Sequence, residues 1–473
     1  MQTSFNTRII SAITGSFLVA AISFLTSVVI ARILPVDDFG LYQYMLSIGQ
    51  SIVLLASLNM GNAYFTFISK RHYSTYYNYA FAFSQLLIFS VFIFLILAFI
   101  KSILFYDLRL EFILVCLFGS FVFFSLRQQA IYILESYRKS LLLQILLVMC
   151  SLVNLAIISY YGSKEILDVS IIFLSMSIVY LILWIFTLQF ITANNSFKLA
   201  KISFWNEFVS YRNYIIPLIL SMAVIQVGVI FDRWMLQTNS GSIEQAFFGV
   251  SYRVAVIATI LSASVVNIFW KEISSLIEQN KNEEALKLLI KWHNLVIKCI
   301  LFACLFIFVN AENLILLTYG DEYSGSVKTL KIMAFFPLLQ TSVHLLTTYL
   351  FSDSLTAPIA KISIISTLLG VVFIVTFFSI NFGFSGSQII GIKFLIASFS
   401  SAFLMAVYLK VIKKLWSLKF LFIHCPLIFW LSFISDVWLN TFELSSISQI
   451  FFSGILFSVI FIFYMISTRS FDT

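Results

Sequence analysis

Charged residues are scarce in this sequence, at 11% of the chain, whereas hydrophobic residues make up 61% of it. A soluble domain carries about 25% charged residues, because its surface must be covered by groups that water solvates. This composition therefore excludes an ordinary water-facing surface. Phenylalanine is abundant instead, with 53 residues, and such a composition is typical of helices that face lipid.

Residues that mark metal and nucleotide chemistry are equally scarce. The 5 cysteines lie in or beside apolar runs, and the 4 histidines are scattered, so the sequence predicts no metal site and no cofactor. A Gly-x-x-x-x-Gly-Lys loop is absent, and the chain is therefore not expected to hydrolyse ATP. The net charge of +8 lacks a clustered basic face, and no nucleic-acid partner is predicted.

Long apolar runs recur along the whole chain. A helix needs about 20 mostly apolar residues to cross the hydrocarbon core, and this measure predicts an all-α integral membrane protein with about fourteen transmembrane helices. The predicted spans lie near residues 9–33, 41–65, 77–100, 110–134, 141–161, 169–192, 213–237, 246–270, 289–310, 329–351, 358–381, 387–410, 418–439 and 446–467. The first run is longer than a signal-peptide core of roughly 7–15 residues. We therefore predict that it is a retained span.

Positive charges predict the orientation of these spans. With the amino terminus in the cytoplasm, most of the 29 Lys and Arg residues fall on the cytoplasmic side, as the positive-inside rule requires. Omitting one early helix would invert every later loop, so an even count with both termini in the cytoplasm is predicted. The loop at 271–291 combines alternating charge with an apolar stripe. This pattern fits an amphipathic surface helix or a solvated extension of the flanking spans.

A weak internal repeat groups the spans into lobes. Arg32 precedes the pair Phe39-Gly40 across one hairpin, and Arg233 precedes Phe248-Gly249 across another. Both hairpins start from the same side of the membrane, so the repeat would be parallel. The predicted organisation is a six-helix lobe at 1–192, a cytoplasmic linker at 193–212, a second six-helix lobe at 213–411 and two additional helices at 412–473.

Ionisable residues inside the spans identify a candidate site, because each costs about 2.5–3.5 kcal/mol at the bilayer centre. Such residues persist where they face a cavity, a partner or a ligand. Most of them here are cationic, and this favours an anionic cargo: Arg127, Asp232, Arg233, Arg253, Lys298, Lys331 and Lys393. Arg253 and Asn267 share a face of one predicted helix. The predicted substrate-binding residues are Arg233, Arg253, Lys393, Arg127 and Asn267.

Simpler explanations are open for several of these side chains. Arg32, Arg127 and Lys331 could reach the lipid headgroups, because long basic side chains extend toward the nearer helix end. Asp232 beside Arg233 could form a structural ion pair.

Three stretches occur in a fixed order along the chain. They are Ala-Arg-Ile-Leu at 31–34 with Asp-Asp-Phe-Gly-Leu-Tyr at 37–42, Asp-Arg at 232–233 with Phe-Gly-Val-Ser-Tyr-Arg-Val-Ala at 248–255, and Leu-Leu-Thr-Tyr-Gly-Asp-Glu-Tyr at 316–323. Together they resemble the first loop, the seventh and eighth helices and the loop after helix nine of the polysaccharide transport family. This family of lipid-linked oligosaccharide flippases belongs to the multidrug/oligosaccharidyl-lipid/polysaccharide exporter superfamily. Its members often have twelve helices, so the last pair is a departure.

The resemblance implies a MATE-like fold and a flippase rather than an enzyme. The cargo would be an undecaprenyl-diphosphate-linked oligosaccharide repeat unit, moved to the outer leaflet of the cell inner membrane for O-antigen, capsule or exopolysaccharide assembly. Arg233 and Arg253 would engage the diphosphate while the lobes alternate, and Asp232 would bind a coupling cation or proton. Besides membrane lipid, a polymerase and a chain-length regulator are the implied partners.

Two alternative functions stay open. A multidrug cation antiporter of the same fold would need acidic residues well inside the amino-terminal spans, and the acidic residue there, Glu111, stands at the edge of its predicted span. A membrane polysaccharide polymerase resembles chains with a large outer loop bearing Arg and His, whereas the outer loops of this sequence are short.

Overall fold

Helices make up the regular secondary structure of the residues that a computed structural model of the chain describes. The described residues are 5–57, 89–90, 93, 101–105, 108–136, 139–194, 204–259, 269, 272–353, 355–380, 382–411, 447–451, 453–455 and 457–459. The chain divides into two compact units, Met1–Thr238 and Asn239–Thr473.

The helices that begin in the first unit account for most of its described residues. They are α1 (Phe5–Ile33), α2 (Val36–Ala56), α3 (Lys101–Leu104), α4 (Leu110–Phe121), α5 (Arg127–Ser136), α6 (Ser140–Ser163), α7 (Val169–Asn194) and α8 (Phe204–Val256). Pro35 separates α1 from α2, and Asp37 and Asp38 occupy the first turn of α2. Acidic residues there compensate the positive end of the helix dipole. A π-helical turn, Val122–Leu126, joins α4 to α5, and together they form one span.

The second unit has a similar helical content. Its further helices are α9 (Asn282–Val309), α10 (Ala311–Thr318), α11 (Val327–Met333), α12 (Phe336–Ser352), α13 (Thr356–Ile380), α14 (Gly386–Tyr408) and α15 (Ile447–Val459). A 3-10 turn, Asp321–Ser326, precedes α11. This turn with α11 and the following α12 form one broken span, bent by 42°.

Membrane-spanning helices confirm the predicted fold class. Among the described residues, 8 helices are long and apolar enough to cross a membrane, and the bent pair makes 9. Each coincides with a predicted span. The predicted spans near 77–100 and 418–439 lie outside the described residues, and the one near 446–467 is described in part, as α15.

The long helix α8 contains two predicted spans, 213–237 and 246–270. It consists of two helices that meet at Gly241, where φ is 79° and ψ is −176°. Glycine adopts this conformation without the steric cost that a side chain would add. The compact units group residues 213–238 with the first unit, whereas the predicted second lobe begins at 213. The predicted lobe boundaries stay a prediction.

The charged loop at 271–291 is packed against the second unit. A short helix at 272–278 is followed by Asn280, with φ of 59°, and α9 then begins at Asn282. Ile273, Ala285 and Leu289 are buried in a core cluster with side chains of α12 and α14. The apolar stripe therefore faces protein, and the second half of the loop is an extension of the α9 span.

Large apolar side chains cover the outer faces of several spans. On α13, for example, Leu368, Leu369, Val372 and Val375 are exposed. Contiguous apolar surface of this kind is rare on a protein surrounded by water. It is the expected surface of a helix that contacts lipid, so the chain is a multi-pass membrane protein.

Candidate substrate-binding site

Arg127 directly follows the π-helical turn of the first unit. The turn contains one residue more than an α-helical turn, and it therefore rotates the following residues by roughly 100° about the helix axis. The guanidinium carbon of Arg127 lies 5.2 Å from the centre of the Phe123 ring and 5.6 Å from the centre of the Tyr180 ring. Two aromatic rings on α7 and on the π turn thus hold this cation.

The direction of the Arg127 side chain differs from that of a headgroup-reaching residue. Arg127 is closer to the carboxyl end of its span, Leu110–Glu135, than to the amino end. Phe123 lies one turn toward the amino end, so the guanidinium points away from the nearer helix end. Its buried Nε atom has no hydrogen-bond partner in the described part of the chain. A guanidinium in contact with aromatic rings can still use its N–H groups for hydrogen bonds, which suit an oxyanion.

Interhelical hydrogen bonds fix the helices that carry this cation. Trp184 Nε1 donates to Gln129 Oε1 at 2.9 Å, which joins α7 to α5. Ser175 Oγ donates to Asn154 Oδ1 at 2.9 Å, which joins α7 to α6. Polar contacts of this kind hold transmembrane helices together. The first joins the two helices beside the guanidinium, α5 and α7, and the second joins α7 to α6.

Asp232 and Arg233 are also buried in the first unit, with exposed fractions of 1% and 8%. Both side chains interact with other residues of the chain. The adjacent Trp234 donates from Nε1 to the carbonyl oxygen of Ile103 at 3.2 Å, so this part of α8 lies beside α3. Buried charges of this kind need a partner of opposite sign or a ligand. This arrangement is compatible with the ion pair and with the ligand roles.

The two cationic positions of the first unit are far apart. The α3 helix directly precedes α4 in the chain, so Arg233 lies toward the amino end of the span that carries Arg127. Arg127 is roughly 25 Å from Leu110 along this span, at about 1.5 Å per residue. Arg127 and Arg233 therefore lie at different levels of the first unit. The set of residues that the sequence predicts as one site is therefore divided within the first unit.

Lys393 is buried in the second unit, with 6% of its surface exposed. Its Nζ atom lies 5.0 Å from the centre of the Phe394 ring. Its aliphatic part crosses α13 at Gly370, where a Cβ atom would lie 2.6 Å from the Cε atom of the lysine. The absence of a side chain at Gly370 therefore makes room for the lysine. Lys393 also interacts with other residues of the chain.

An aromatic cluster lies next to Lys393. Its ring centres are separated by 5.5 to 6.1 Å, and its members are Phe248, Tyr252, Phe336 and Phe394. These rings pack in tilted and edge arrangements, which aromatic pairs prefer. The half-buried Arg253 directly follows Tyr252, and Lys393 directly precedes Phe394. The cluster therefore joins the helix that carries Arg253 to the helix that carries Lys393.

Hydrogen bonds tie α8 to the amino-terminal ends of α11 and α14. Glu244 Oε2 accepts a hydrogen bond from the backbone N–H of Ser387 at 2.8 Å, so its carboxylate caps α14. Ser251 Oγ donates to the carbonyl oxygen of Ser326 at 3.0 Å. Two of the sequence stretches singled out above, 248–255 and 316–323, therefore adjoin in the second unit.

Sequence reasoning named the cations but missed the aromatic residues around them. The spacing of Phe123 and Arg127, one helical turn apart, was the available signal. Tyr180 and the aromatic cluster had no such signal, because their partners are distant in sequence. Asn267 lies outside the described residues. No group of His, Cys, Asp and Glu side chains in the described residues fits a metal ion.

Comparison with known proteins shows that solved structures share the fold of this chain. No protein-family model matches the sequence, and no curated protein matches it. Among solved structures, the lipid II flippase MurJ in an inward closed conformation has a TM-score of 0.74 at 13% identity, covering 98% of this chain and 100% of that one. The chain has the fold of MurJ and of MATE transporters.

Two further solved structures, both described as transporters of the MOP superfamily, share this fold. An inward-facing multidrug resistance MATE family transporter has a TM-score of 0.61 at 15% identity, covering 82% of this chain and 92% of that one. A MOP superfamily transporter from Pyrococcus furiosus, whose binding pocket is described as having reverse polarity, has a TM-score of 0.57 at 12% identity and covers 86% and 95%. The MATE-like fold that the resemblance implied is confirmed. At these identities the likeness concerns the fold alone.

Proposed function

We propose that the protein is a flippase that moves undecaprenyl-diphosphate-linked oligosaccharide repeat units from the cytoplasmic to the outer leaflet of the cell inner membrane. The product would enter O-antigen, capsule or exopolysaccharide assembly. The observation that carries the proposal is the burial of cations inside the helical units, above all Lys393 with 6% exposure. A buried cation in a membrane marks a ligand or ion pathway, and a diphosphate supplies the opposite charge.

The proposed binding residues would act in successive conformations. Arg253 and Lys393, on helices joined by the aromatic cluster, would hold the diphosphate in the second unit, with Asn267 farther along the same predicted helix. Charge-assisted hydrogen bonds of this type are stronger in a poorly hydrated site than in water. Arg233 and Arg127 would serve anionic groups of the cargo at two separate levels of the first unit.

Energy for the proposed transport would come from outside the chain. The sequence lacks a phosphate-binding loop, so the drive would be an ion gradient, the membrane potential or downstream consumption of the cargo. Asp232 is the proposed site of a coupling cation or proton. A polymerase and a chain-length regulator are the proposed partners, and both termini are proposed to lie in the cytoplasm.

A multidrug cation antiporter is the second candidate, because MATE transporters share the fold. A cationic drug would be repelled by Lys393 and the arginines, so the charge of the described interior favours the flippase. The two functions differ in a direct assay. Liposomes containing the purified protein should translocate undecaprenyl-diphosphate-linked sugar and should not accumulate ethidium.

Arg253 provides the sharpest test of the proposal. We expect Arg253→Ala to reduce translocation roughly ten- to hundredfold, because a lost charged hydrogen bond costs about 1.5–3 kcal/mol. Arg253→Lys should retain part of the activity. Arg109→Ala, at an exposed position before α4, is the matched control. Normal translocation by both Arg253 variants at normal protein levels would refute the cationic site.

A further inference from the structure

His293 is buried in the core of the second unit, with 0% of its surface exposed. Its Nε2 atom lies 2.7 Å from Ser342 Oγ, so the pair joins α9 to α12. The Nδ1 atom has no hydrogen-bond partner in the described part of the chain, although the Asn294 side chain is close to the ring. One nitrogen of a titratable ring is therefore left without a partner between two membrane-spanning helices.

The surroundings of this pair are apolar. Residues one and two turns from His293 on α9 and one turn from Ser342 on α12 belong to one buried cluster, and they include Leu289, Val296, Ile300, Leu345 and Leu346. A neutral imidazole needs one donor and one acceptor, whereas an imidazolium carries two N–H donors. The serine hydroxyl can accept one of these donors. The Asn294 side-chain oxygen beside the ring is the candidate acceptor for the second, but it carries no charge to balance the imidazolium.

Other charges do not lie in this core among the described residues. On the elements packed around it, the exposed charged or titratable residues are Glu272, Glu278, Lys281, Glu283, Glu284, Lys287, Lys291, Lys328, His344, Lys361, Tyr408 and Lys410, and the half-buried ones are Lys298, Cys299, Lys331 and Asp353. The buried titratable side chains of the core itself are Cys304 and Tyr349, which are neutral when protonated. Lys393 lies on α14 about three turns from Met405, which contacts the cluster. A proton on His293 would therefore place an uncompensated charge in the packed core.

The α12 helix begins at a bend beside this pair. It forms the second half of the broken span, which bends by 42° at the residues before Phe336. Pro337 lies in its first turn and has no N–H to bond back to α11. The α12 helix can therefore pivot relative to α11 while its own hydrogen bonds stay intact.

We propose that His293 is a proton-binding site whose protonation separates α12 from α9, and that transport is thereby coupled to proton movement. A water-exposed imidazole takes up a proton near about pH 6.5, and the packed arrangement has no place for it. Acidification consequently favours the separated arrangement, in which water reaches the ring. As the pH rises above about 6.5, the imidazole loses its proton and the packed arrangement again has the lower free energy.

Hydrogen–deuterium exchange of the full-length protein in detergent tests the structural part without any cargo. Labelling times are corrected for the pH dependence of intrinsic exchange. We expect deuterium uptake to rise between pH 8 and pH 5.5 in peptides that cover Phe336–Ser352. The rise in the exchange rate should be up to about tenfold per pH unit. In His293→Gln and His293→Asn the uptake should not depend on pH. His344→Gln, which removes an exposed histidine of the same helix, should behave like the wild type.

Translocation in liposomes tests the coupling, and this arm rests on the proposed flippase function. A pH gradient should accelerate translocation of undecaprenyl-diphosphate-linked sugar by wild type and by His344→Gln but not by His293→Gln. If the wild type translocates no lipid-linked sugar, the proposed function fails, while the exchange experiment still decides the proton site. Wild-type uptake that is independent of pH, or a His293→Gln variant that responds like wild type, would overturn the inference. If neither His293 variant folds, the wild-type exchange result alone decides.

Discussion

The two units present their cations in different ways. In the first unit, Arg127 lies beside two aromatic rings that contact each other, while Arg233 is buried next to Asp232 elsewhere in the unit. In the second unit, Lys393 is enclosed next to an aromatic cluster, on a helix that the same cluster joins to the helix of Arg253. The two cations of the first unit thus lie on different parts of it, whereas an aromatic cluster connects the helices of Arg253 and Lys393 in the second.

This difference indicates a division of roles under the proposed function. A concentrated pair of cations suits a compact, doubly charged group such as a diphosphate. Arg127 is distant from Arg233 and already contacts aromatic rings, which stabilise its charge in place of water. Such a cation suits a weaker contact with a moving cargo. Substitutions in the two units should therefore differ in the size and in the kind of their effect on translocation and stability.

The largest effect is expected at Lys393. Lys393→Met keeps the length of the side chain and removes a charge that costs about 2.5–3.5 kcal/mol to bury in a membrane. We expect translocation to fall at least roughly tenfold while the thermal unfolding temperature stays the same or rises. A thermal shift assay and a liposome assay on the same preparation measure both. Loss of stability together with activity would show that the lysine has a structural role instead.

A smaller effect is expected at Arg127. Arg127→Gln should lower translocation by about threefold to tenfold, since an exposed to partly desolvated cation–ring contact contributes about 0.5–2 kcal/mol. Lys331→Gln is the matched control, because its Nζ atom lies 5.8 Å from the centre of the Phe308 ring in the second unit. Equal losses in the two variants would mean that ring contact alone matters, and the distinction between the units would fail.

The smallest effect is expected at Glu244. Glu244→Gln weakens the cap on α14, and a lost cap costs about 1 kcal/mol. We expect a slightly lower unfolding temperature and a translocation rate within about twofold of wild type, because the helix that carries Lys393 stays packed at its other contacts. Ser385→Ala, at the preceding N-cap position, serves for comparison. A Glu244→Gln variant that is as inactive as Lys393→Met would place the carboxylate in the site itself.

Hydropathy alone predicted most of the fold. The closely spaced spans near 110–134 and 141–161 are two helices, α4 with α5 and then α6. Sequence reasoning did not foresee the bend within the span near 329–351, although Pro337 beside the break was an available signal. It also placed the loop at 271–291 at the membrane surface or in solvent, since the core cluster that covers its apolar stripe comes from helices distant in sequence.

The candidate site was predictable only as a set of residue types. Charge in an apolar run is a local property, so Arg127, Asp232, Arg233, Arg253 and Lys393 could be named from the sequence. Their grouping depends on the π turn, which shifts the phase of a helix, and on aromatic contacts between α8, α12 and α14. The helical period of 3.6 residues predicts neither the π turn nor these contacts. His293 shows the same limit, because its partner Ser342 lies on another helix.

The sequence by itself determined that this chain crosses a membrane many times and carries cations inside it. The cost of burying charge and the length of a spanning helix act on each segment separately. Only the tertiary structure decided which cations share a neighbourhood, that Gly370 makes room for Lys393, and that a histidine is enclosed between two spans. These outcomes depend on close packing between segments, and packing is a property of surfaces that meet only after the chain has folded.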